Sequence, residues 1–255
     1  MHIVFTDLDG TLLDHETYSF EPARPALQRL KTLEIPLVLA SSKTEAEMRP
    51  LAAAIGIDYP MIVENGAGIV NMPDGNTEED GVYDRLRSLL AAMDPALSRH
   101  YQGFGDWSDE DVAEKTGMTL ANARLARKRR FSEPGLWSGS EEEREAFAAV
   151  LEEQGFQAVQ GGRFFTLMPK TSKAEAMARI AKSYARQSDA SVVTVALGDA
   201  PNDAAMLEQA DIGFIIANPA HAEMPVSARE KAGFIKRSSR PGPAGWNDMI
   251  LQLFT

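Results

Sequence analysis

The sequence predicts an α/β protein with a Rossmann-like parallel-sheet core and an inserted α+β unit. Short apolar runs rich in β-branched residues alternate with helical patterns over residues 1–64, and the same alternation returns after Ser172. The segment between them mixes helical patterns with hairpins, which is typical of a separate unit inserted into a sheet domain. We therefore expect a core of residues 1–83 and 169–255 and an insert of residues 84–168.

The first part of the chain predicts three strands joined by two helices. Buried strands are expected at residues 3–5, 36–40 and 61–63. Apolar side chains at helical spacing predict a helix over residues 22–33, and Thr44 with Glu47 forms a capping-box pattern that opens a second helix towards Ile55. Because this βαβαβ order joins strands through helical crossovers, it implies a parallel sheet.

The pattern changes in the middle of the chain. Residues 65–81 are rich in Gly, Asn, Asp and Pro, so they predict turns with a hairpin at Asp74-Gly75. Ser140 and Glu143 form a second capping box, whose helix runs to Gln154 and stops at Gly155. The other elements expected here are helices at 84–93, 108–115 and 119–130, a short strand at 136–137, and strands at 156–159 and 163–168 paired across Gly161-Gly162.

The βα alternation resumes in the last part of the chain. Residues 192–197 form a strongly β-branched apolar run that ends at Gly198-Asp199, and Pro201 sits in the first turn of the helix that follows. The predicted elements are helices at 174–184, 201–209 and 246–254, and strands at 192–197 and 212–216.

Composition narrows the class of protein. The 255 residues include no cysteine, which excludes disulfides and thiolate metal sites. A net charge of −11 argues against a nucleic-acid partner, whose binders normally show a basic face. No apolar run approaches the ~18 residues of a membrane helix, so no membrane partner is expected. The chain opens directly on its first strand with no basic region and no cleavage site, so we expect a cytoplasmic protein.

Polar residues follow four predicted strands, at the end of a parallel sheet where ligands bind. These residues are Asp7 and Asp9, Ser41 to Lys43, Glu64 to Gly66, and Asp199 with Asn202 and Asp203. Acids held close together cannot all stay ionised without a cation, and oxygen ligands favour Mg²⁺. The alternative is that Asp7 and Asp9 only end a strand and cap a helix, but the Asp-Gly-Thr and Gly-Asp-x-x-Asn-Asp patterns favour the metal site.

These motifs resemble those of the haloacid dehalogenase (HAD) superfamily of Mg²⁺-dependent phosphatases. The segment Asp7-Leu8-Asp9-Gly10-Thr11-Leu12-Leu13 resembles the first motif, Ser41 at a strand end the second, Lys173 the third, and Gly198-Asp199-Ala200-Pro201-Asn202-Asp203 the fourth. The insert lies between the second and third motifs, as in members with a type C2 cap. The resemblance covers essentially the whole chain and implies the HAD fold.

A narrower resemblance is to the mannosyl-3-phosphoglycerate phosphatase family. It rests on Ser41-Ser42-Lys43-Thr44, Glu64-Asn65-Gly66-Ala67, Arg130-Phe131-Ser132-Glu133-Pro134, Gly161-Gly162-Arg163-Phe164-Phe165 and Gly242-Pro243-Ala244-Gly245-Trp246, together with Pro201. The chain departs from the family at Ser41, where Thr is commoner, at Ala174, where Gly is usual, and at Ala200, where Ser is common. None of these departures removes a catalytic group.

The resemblance implies roles for the residues at the strand ends. Asp7 would attack phosphorus to form an aspartyl-phosphate, and Asp9 would act as general acid and then general base. Asp7, the backbone carbonyl of Asp9, and Asp199 would hold Mg²⁺. Asn202 and Asp203 would orient either the metal-bound waters or Lys173.

Phosphate binding is assigned in the same way. Ser41 and Lys173 would bind the phosphoryl oxygens. Lys170 is an alternative to Lys173, although Lys173 stands directly before the Ala-rich helix, as in the family motif. Ser42, Lys43 and Asn65 are further candidates for phosphate or substrate binding, with helix capping as the alternative for Ser41 and Ser42.

Specificity is expected to lie in the insert. Its most basic stretch comprises Arg124, Arg127, Lys128, Arg129 and Arg130, which form either a solvated helix face or part of an anion site. Arg130 and Arg163 are the candidates for binding a glycerate carboxylate, because arginine pairs with carboxylates through two parallel hydrogen bonds. Aromatic side chains of Trp137, Phe164 and Phe165 either stack on a sugar or pack in a core.

The sequence therefore predicts a phosphatase acting on a small phosphorylated sugar-glycerate, either mannosyl-3-phosphoglycerate or its glucosyl analogue. Three alternatives stay open at this point. They are a sugar-phosphate phosphatase of broad specificity, a phosphohexomutase that uses the same pair of aspartates, and a non-catalytic phosphosugar-binding protein. No feature of the sequence indicates an oligomeric state.

Overall fold

The computed structural model describes residues 1–75, 81–188, 191–220 and 222–255, which pack into two compact units. Unit 1 comprises Met1–Ser42, Leu51–Thr77 and Ser172–Thr255, and unit 2 comprises Lys43–Pro50 and Glu78–Thr171. Unit 2 thus includes a short segment that precedes the insert in sequence. The predicted domain boundaries, at residues 83/84 and 168/169, stay a prediction.

Strands and helices alternate through most of the described chain. The strands are β1 (His2–Thr6), β2 (Leu37–Ala40), β3 (Met61–Val63), β4 (Gly68–Val70), β5 (Tyr101–Gly103), β6 (Glu133–Trp137), β7 (Phe156–Gly161), β8 (Phe164–Pro169), β9 (Val193–Gly198), β10 (Ile212–Ala217) and β11 (Ile235–Pro241). The α-helices are α1 (Arg24–Thr32), α2 (Glu45–Ile55), α3 (Val82–Ala92), α4 (Pro95–Ser98), α5 (Asp109–Thr116), α6 (Leu120–Ala126), α7 (Glu141–Glu153), α8 (Lys173–Ser188), α9 (Ala204–Gln209), α10 (Ala228–Lys231) and α11 (Gly242–Leu253). Short 3-10 turns cover Glu21–Ala23, Glu64–Gly66, Phe104–Asp106 and Pro201–Asp203.

Unit 1 is built on a sheet in the order β11-β10-β9-β1-β2-β3-β4. Every neighbouring pair is parallel except β3 and β4, which confirms the predicted α/β class with a parallel-sheet core. β1 lies near the middle, between β9 and β2. This central position explains why β1 is apolar on both faces, since a strand covered on both sides has no solvated face.

Helices cover the two faces of this sheet. Ile3 and Phe5 point to one face and pack with Met177 and Ile180 of α8. The alternate residue Thr6 points to the other face, where its hydroxyl accepts a hydrogen bond from the indole of the buried Trp246 in α11 at 2.9 Å. Because successive side chains of β1 point to opposite faces of the sheet, α8 covers one face and α11 the other.

Two strands of unit 1 were not predicted. β4 lies within residues 65–81, which the composition assigned to turns, and its three residues are too few to show a periodicity. β11 has the sequence Ile-Lys-Arg-Ser-Ser-Arg-Pro and lies at the edge of the sheet, where most of its side chains are solvated. A polar edge strand lacks the apolar run by which the buried strands are recognised.

Several predicted bounds also differ. The predicted helix over residues 119–130 ends at Ala126, and the closing helix begins at Gly242 rather than at Trp246. The predicted turn at Asp74-Gly75 is present, because the backbone N–H of Gly75 donates to the carbonyl of Met72. The remainder of the hairpin predicted there falls on residues 76–80, which lie outside the described residues.

Unit 2 contains an antiparallel sheet in the order β5-β6-β8-β7. Gly161 pairs with Phe164 across the predicted β7–β8 hairpin. The capping box that opens α7 is also confirmed, since Ser140 and Glu143 each accept the other's backbone N–H. Among the described residues, no helix combines the length and the apolar composition that crossing a bilayer requires.

A fully buried carboxylate organises the polar interior of unit 2. Glu133 is 0% exposed and accepts hydrogen bonds from Arg87, from the hydroxyl of Tyr83 and from the backbone N–H of Gly105, each at 2.8 Å. Burial raises the pKa of Glu133 despite these donors. Arg87 also pairs with Asp106, so the network joins α3 to the segment around β5 and β6.

The turn after β3 has a strained backbone. Glu64, Asn65 and Gly66 all have positive φ, at 51°, 59° and 94°. A Cβ atom on Gly66 would overlap the carbonyl of Ser172 and the backbone nitrogen of Lys173. The turn therefore packs directly against the start of α8, and only glycine fits at its third position.

We predict that Gly66→Ala destabilises the protein by about 3 kcal/mol, because the methyl group adds overpacking to the cost of a positive φ. Gly56→Ala is the matched control: Gly56 has φ 80° and open space around its Cβ position, so its cost is limited to about 1 kcal/mol of backbone strain. Urea denaturation of both variants measures the difference. Equal losses would show that the contact with α8 contributes nothing.

We also predict that Arg87→Met destabilises the protein by about 3 kcal/mol at neutral pH, because it leaves Glu133 charged and buried without its cation. The pKa of Glu133 is already raised, so folding favours its protonated form, and the loss should shrink as the pH falls towards the ordinary glutamate pKa. Urea denaturation across pH tests this. Arg24→Met removes an exposed pair with Glu21 and a contact with the ring of Phe20, and it should cause little loss of stability.

Candidate active site

Three carboxylates lie together at the carboxyl ends of neighbouring strands. Asp7 follows β1, Asp199 follows β9, and Asp203 lies in the turn after Asp199. All three are buried, and one oxygen of each lies within 4.8 Å of the others. The register explains the meeting, because β1 and β9 are parallel neighbours and the N–H of Asp7 donates to the carbonyl of Leu197 at 2.9 Å.

A buried lysine bridges two of these acids. The Nζ of Lys173 donates to Oδ1 of Asp7 at 2.6 Å and to Oδ1 of Asp203 at 2.8 Å, and the residue is only 2% exposed. Lys173 is the first residue of α8, so the strained turn at Gly66 lies against its backbone. Lys170, the predicted alternative, belongs to unit 2 and lies 3.9 Å from Glu152.

The charges of this group do not cancel. Burial raises the pKa of Asp7 well above its usual value, and the charges of Asp203 and Asp199 add to the rise against the opposing effect of Lys173. Burial alone would lower the pKa of Lys173, but the charges of Asp203 and Asp7 exceed that effect and hold it above its usual value. Three carboxylates beside one ammonium group leave an excess of negative charge that a divalent cation would neutralise.

The donor set fits a divalent metal. Asp7, Asp199 and Asp203 offer only carboxylate oxygens, which hard cations prefer. Asp9 was expected to contribute its backbone carbonyl, and its carboxylate is not part of this group, whereas Asp203 joins the two expected carboxylate ligands Asp7 and Asp199. Asp9 itself lies in a tight turn in which the N–H groups of Thr11 and Leu13 donate to the carbonyl of Leu8.

Asp203 connects the lysine to the loop after β9. Its Oδ1 accepts from Lys173, while its Oδ2 accepts from the backbone N–H groups of Asp199 and Ala200 at 3.2 Å each. Of the two predicted roles for Asp203, contact with Lys173 is therefore present in the geometry. Because one side chain holds both Lys173 and the backbone of Asp199, it ties two of the site's elements together.

The other predicted phosphate-binding residues of unit 1 lie at adjoining strand ends. Ser41 is buried at the end of β2, and its carbonyl accepts from the N–H of Asn65 at 2.9 Å. The amide of Asn202 lies 3.5 Å from that of Asn65, at the limit of a hydrogen bond. Ser42 is exposed. The cap of α2 is formed by Thr44, whose hydroxyl accepts from the N–H of Glu47.

The remaining candidates belong to unit 2. Lys43 lies in its first segment. Arg130 pairs with Glu45 at 2.8 Å, and Arg163 donates to the carbonyl of Thr116 at 3.1 Å. The structure therefore gives both arginines partners within their own unit.

Much of the basic run is neutralised within unit 2. Arg124 and Arg127 both pair with Asp109, at 3.0 Å and 2.5 Å. The aromatic candidates pack against other rings: the half-buried Trp137 and the buried Phe165 lie against Phe147, and the half-buried Phe164 lies edge-on to Phe104 at 5.4 Å. These contacts favour the packing role that was one of the two predicted alternatives.

Sequence reasoning did not identify Asn218, which touches the acids. The amide of Asn218 donates to Oδ2 of Asp199 at 2.7 Å. Asn218 follows β10, so it stands at a strand end of the same sheet, like the residues that were predicted. The rule that ligands bind at strand ends would have identified it if it had been applied to the strand after β9 as well.

Comparisons with known proteins agree with this geometry. A model of the haloacid dehalogenase-like hydrolase family matches residues 4–85 and 138–228. A glucosyl-3-phosphoglycerate/mannosyl-3-phosphoglycerate phosphatase of Methanococcoides burtonii is 37% identical over 99% of this chain and 97% of its own. One of the same name from Persephonella marina is 34% identical, over 98% and 96%.

Solved structures show the same fold. The structure of a phosphatase of the haloalkanoate (HAD) enzyme superfamily from Bacteroides thetaiotaomicron superposes with a TM-score of 0.68 at 19% identity. The match covers 100% of this chain and 95% of that one. Since the family model spans most of the chain and the curated relatives match nearly all of it, the protein belongs to the haloacid dehalogenase-like hydrolase family.

Proposed function

We propose that the protein is a Mg²⁺-dependent phosphatase that hydrolyses mannosyl-3-phosphoglycerate or glucosyl-3-phosphoglycerate to the glycosylglycerate and phosphate. The main support is the buried cluster of Asp7, Asp199 and Asp203 around Lys173. Its carboxylates can bind a divalent cation, and its lysine supplies a fixed positive charge beside them. The printed names of the two curated relatives support the substrate class.

Mg²⁺ would be held by Asp7 and Asp199 with the backbone carbonyl of Asp9, and Asp203 would lie beside it. When bound, the ion supplies charge neutralisation to the carboxylates and to the phosphate monoester. This neutralisation favours the ionised form of Asp7, whose pKa burial raises, and an ionised Asp7 is the form that can act as a nucleophile.

The chemistry would then proceed on two aspartates. A carboxylate oxygen of Asp7 attacks phosphorus, the bond from phosphorus to the sugar-glycerate oxygen breaks, and Asp9 donates its proton to that oxygen. Water next attacks the aspartyl-phosphate. Asp9 takes a proton from this water, the bond from phosphorus to Asp7 breaks, and inorganic phosphate leaves with both aspartates in their starting forms.

The remaining residues would bind and orient. Lys173 is held by Asp7 and Asp203, so its ammonium group would offset charge on the phosphoryl oxygens beside the nucleophile. Ser41 would donate its hydroxyl to the same group. The amides of Asn65 and Asn202 approach each other and would also contact the phosphoryl group. Ser42 and Lys43 would make further contacts with the substrate.

The glycerate carboxylate would be bound by arginine from unit 2. One guanidinium nitrogen of Arg163 donates to the carbonyl of Thr116, and its other N–H groups would donate to a substrate carboxylate. Arg130 would leave its ion pair with Glu45 and pair with the substrate instead. The net charge of −11 does not prevent the binding of a small anionic substrate, because the positive groups near the binding site determine the local potential. No nucleic-acid or membrane partner is part of the proposal, and its setting is the cytoplasm.

We predict that wild-type protein with Mg²⁺ releases phosphate from mannosyl- and glucosyl-3-phosphoglycerate in strong preference to hexose phosphates and 3-phosphoglycerate. Asp7→Asn should abolish release, because an amide is a far weaker nucleophile, and the loss should reach about 10³-fold or more. A phosphate-release assay across this panel, with and without chelator, is the measurement.

Each other outcome selects an alternative. Equal release from every monoester would replace the proposed substrate with a broad sugar-phosphate phosphatase. Isomerisation of a hexose phosphate without phosphate release would indicate a phosphohexomutase. Binding of phosphosugars with no turnover in either protein would leave a non-catalytic binding protein.

We predict that Arg163→Met raises KM for the glycosyl-3-phosphoglycerate by about 10-fold or more, the value of one charge-assisted hydrogen bond. Turnover of a simple monoester that lacks the carboxylate should stay unchanged. Arg124→Met is the matched control from the basic run. It should leave KM for both substrates unchanged, since Arg124 pairs with Asp109. An equal rise in KM for both substrates would remove Arg163 from carboxylate recognition.

A further inference from the structure

Asn218 occupies a half-buried position directly after β10, and its side chain reaches into the acid cluster. Its Nδ2 donates to Oδ2 of Asp199 at 2.7 Å, while its Oδ1 accepts from the backbone N–H of Ala220 at 3.0 Å. The second bond determines how the amide is turned, because an oxygen must face the N–H of Ala220. The donor end is thereby directed at Asp199 by the chain itself.

The other oxygen of Asp199 has a donor of its own. The hydroxyl of Thr11 donates to Oδ1 of Asp199 at 2.8 Å. Both oxygens of one carboxylate are therefore held, by residues that follow β1 and β10, the strands on either side of β9. Each carboxylate oxygen has two lone pairs, so accepting a hydrogen bond is compatible with also binding a cation.

The loop after β1 has a backbone that permits this arrangement. Gly10 has φ 83°, and a Cβ atom there would overlap the amide of Asn218 and lie 2.8 Å from Oδ2 of Asp199. A side chain at position 10 would thus displace the donor from the carboxylate. Gly10 is required for the contact between Asn218 and Asp199, in addition to its place in the tight turn of the first motif.

We propose that Asn218 is a positioning residue that, with Thr11, holds the carboxylate of Asp199 in the one orientation from which it can bind the metal. The inference rests on the proposed function, because it assigns a metal to Asp199. Prior orientation lowers the conformational entropy that the ligand loses when the ion binds. Residues that orient metal ligands typically contribute about 10–100-fold to metal affinity or activity.

The test is Mg²⁺ binding by the full chain, measured by calorimetry without substrate, for wild type and Asn218→Ala. We expect the Mg²⁺ Kd to rise about 10–100-fold. The Mg²⁺ concentration that gives half-maximal phosphate release should rise by a similar factor. Asn122→Ala, an exposed asparagine in unit 2, is the matched control and should bind Mg²⁺ like wild type.

A second pair of variants keeps the test valid if Asn218→Ala folds poorly. Thr11→Val removes the donor to the other oxygen of Asp199 with little change in shape, and it should raise the Mg²⁺ Kd in the same range. Thr11→Ser retains the hydroxyl and should restore affinity to near the wild-type value. This rescue would not occur if Thr11 acted only through packing.

The outcomes separate this inference from the proposed function. If wild type binds Mg²⁺ and hydrolyses the substrate but Asn218→Ala and Thr11→Val bind it equally well, the positioning role is wrong and the proposed function stands. A lower urea midpoint in the variants with unchanged Mg²⁺ affinity would likewise reduce Asn218 to a structural residue. If wild type binds no Mg²⁺, both proposals are overturned.

Discussion

The contact on which the rest of unit 1 depends is the buried ammonium group of Lys173 between Asp7 and Asp203. Placing such charges away from water is unfavourable unless each is paired and hydrogen-bonded. The lysine satisfies two of the carboxylates, and backbone N–H groups satisfy the second oxygen of Asp203. Because Asp199 brings a third carboxylate, the cluster keeps an excess of negative charge, and that excess makes it a candidate metal centre rather than a simple ion pair.

Much of the surrounding backbone is arranged to hold this cluster. Gly66 allows a strained turn to lie against the first residue of α8, and Gly10 allows Asn218 to approach Asp199. In each case the segment that packs against the charged residue comes from a different part of the chain. Strain and close approach of this kind persist only where the surrounding structure enforces them, and they commonly accompany functional sites.

Unit 2 also buries a charged group, but there the negative charge is balanced by a positive one. Glu133 is buried with Arg87, a hydroxyl and a backbone N–H around it, so its charge is paired within the unit. The basic run is largely paired as well, with Arg124 and Arg127 on Asp109. The sequence left this run as either a solvated helix face or part of an anion site. Pairing decides which of its charges are available to a ligand, and pairing depends on side chains that are distant in sequence. Arg163 donates one hydrogen bond to a carbonyl and has further N–H donors, so it is one of the two arginines that we propose for the substrate carboxylate.

The sequence by itself determined the α/β class, most of the buried strands and the placing of acids at the ends of two of them. β1 and β9 are central strands, so most of their residues are apolar and buried. Asp7 and Asp199 follow them at the strand ends, where polar groups reach solvent or a ligand. Only the tertiary structure decided that Lys173 rather than Lys170 meets the acids, that β11 forms an edge strand, and that Asn218 reaches Asp199. Local pattern reports burial and backbone preference, whereas these three outcomes depend on strand order and on close approach between segments distant in sequence, which a local pattern does not encode.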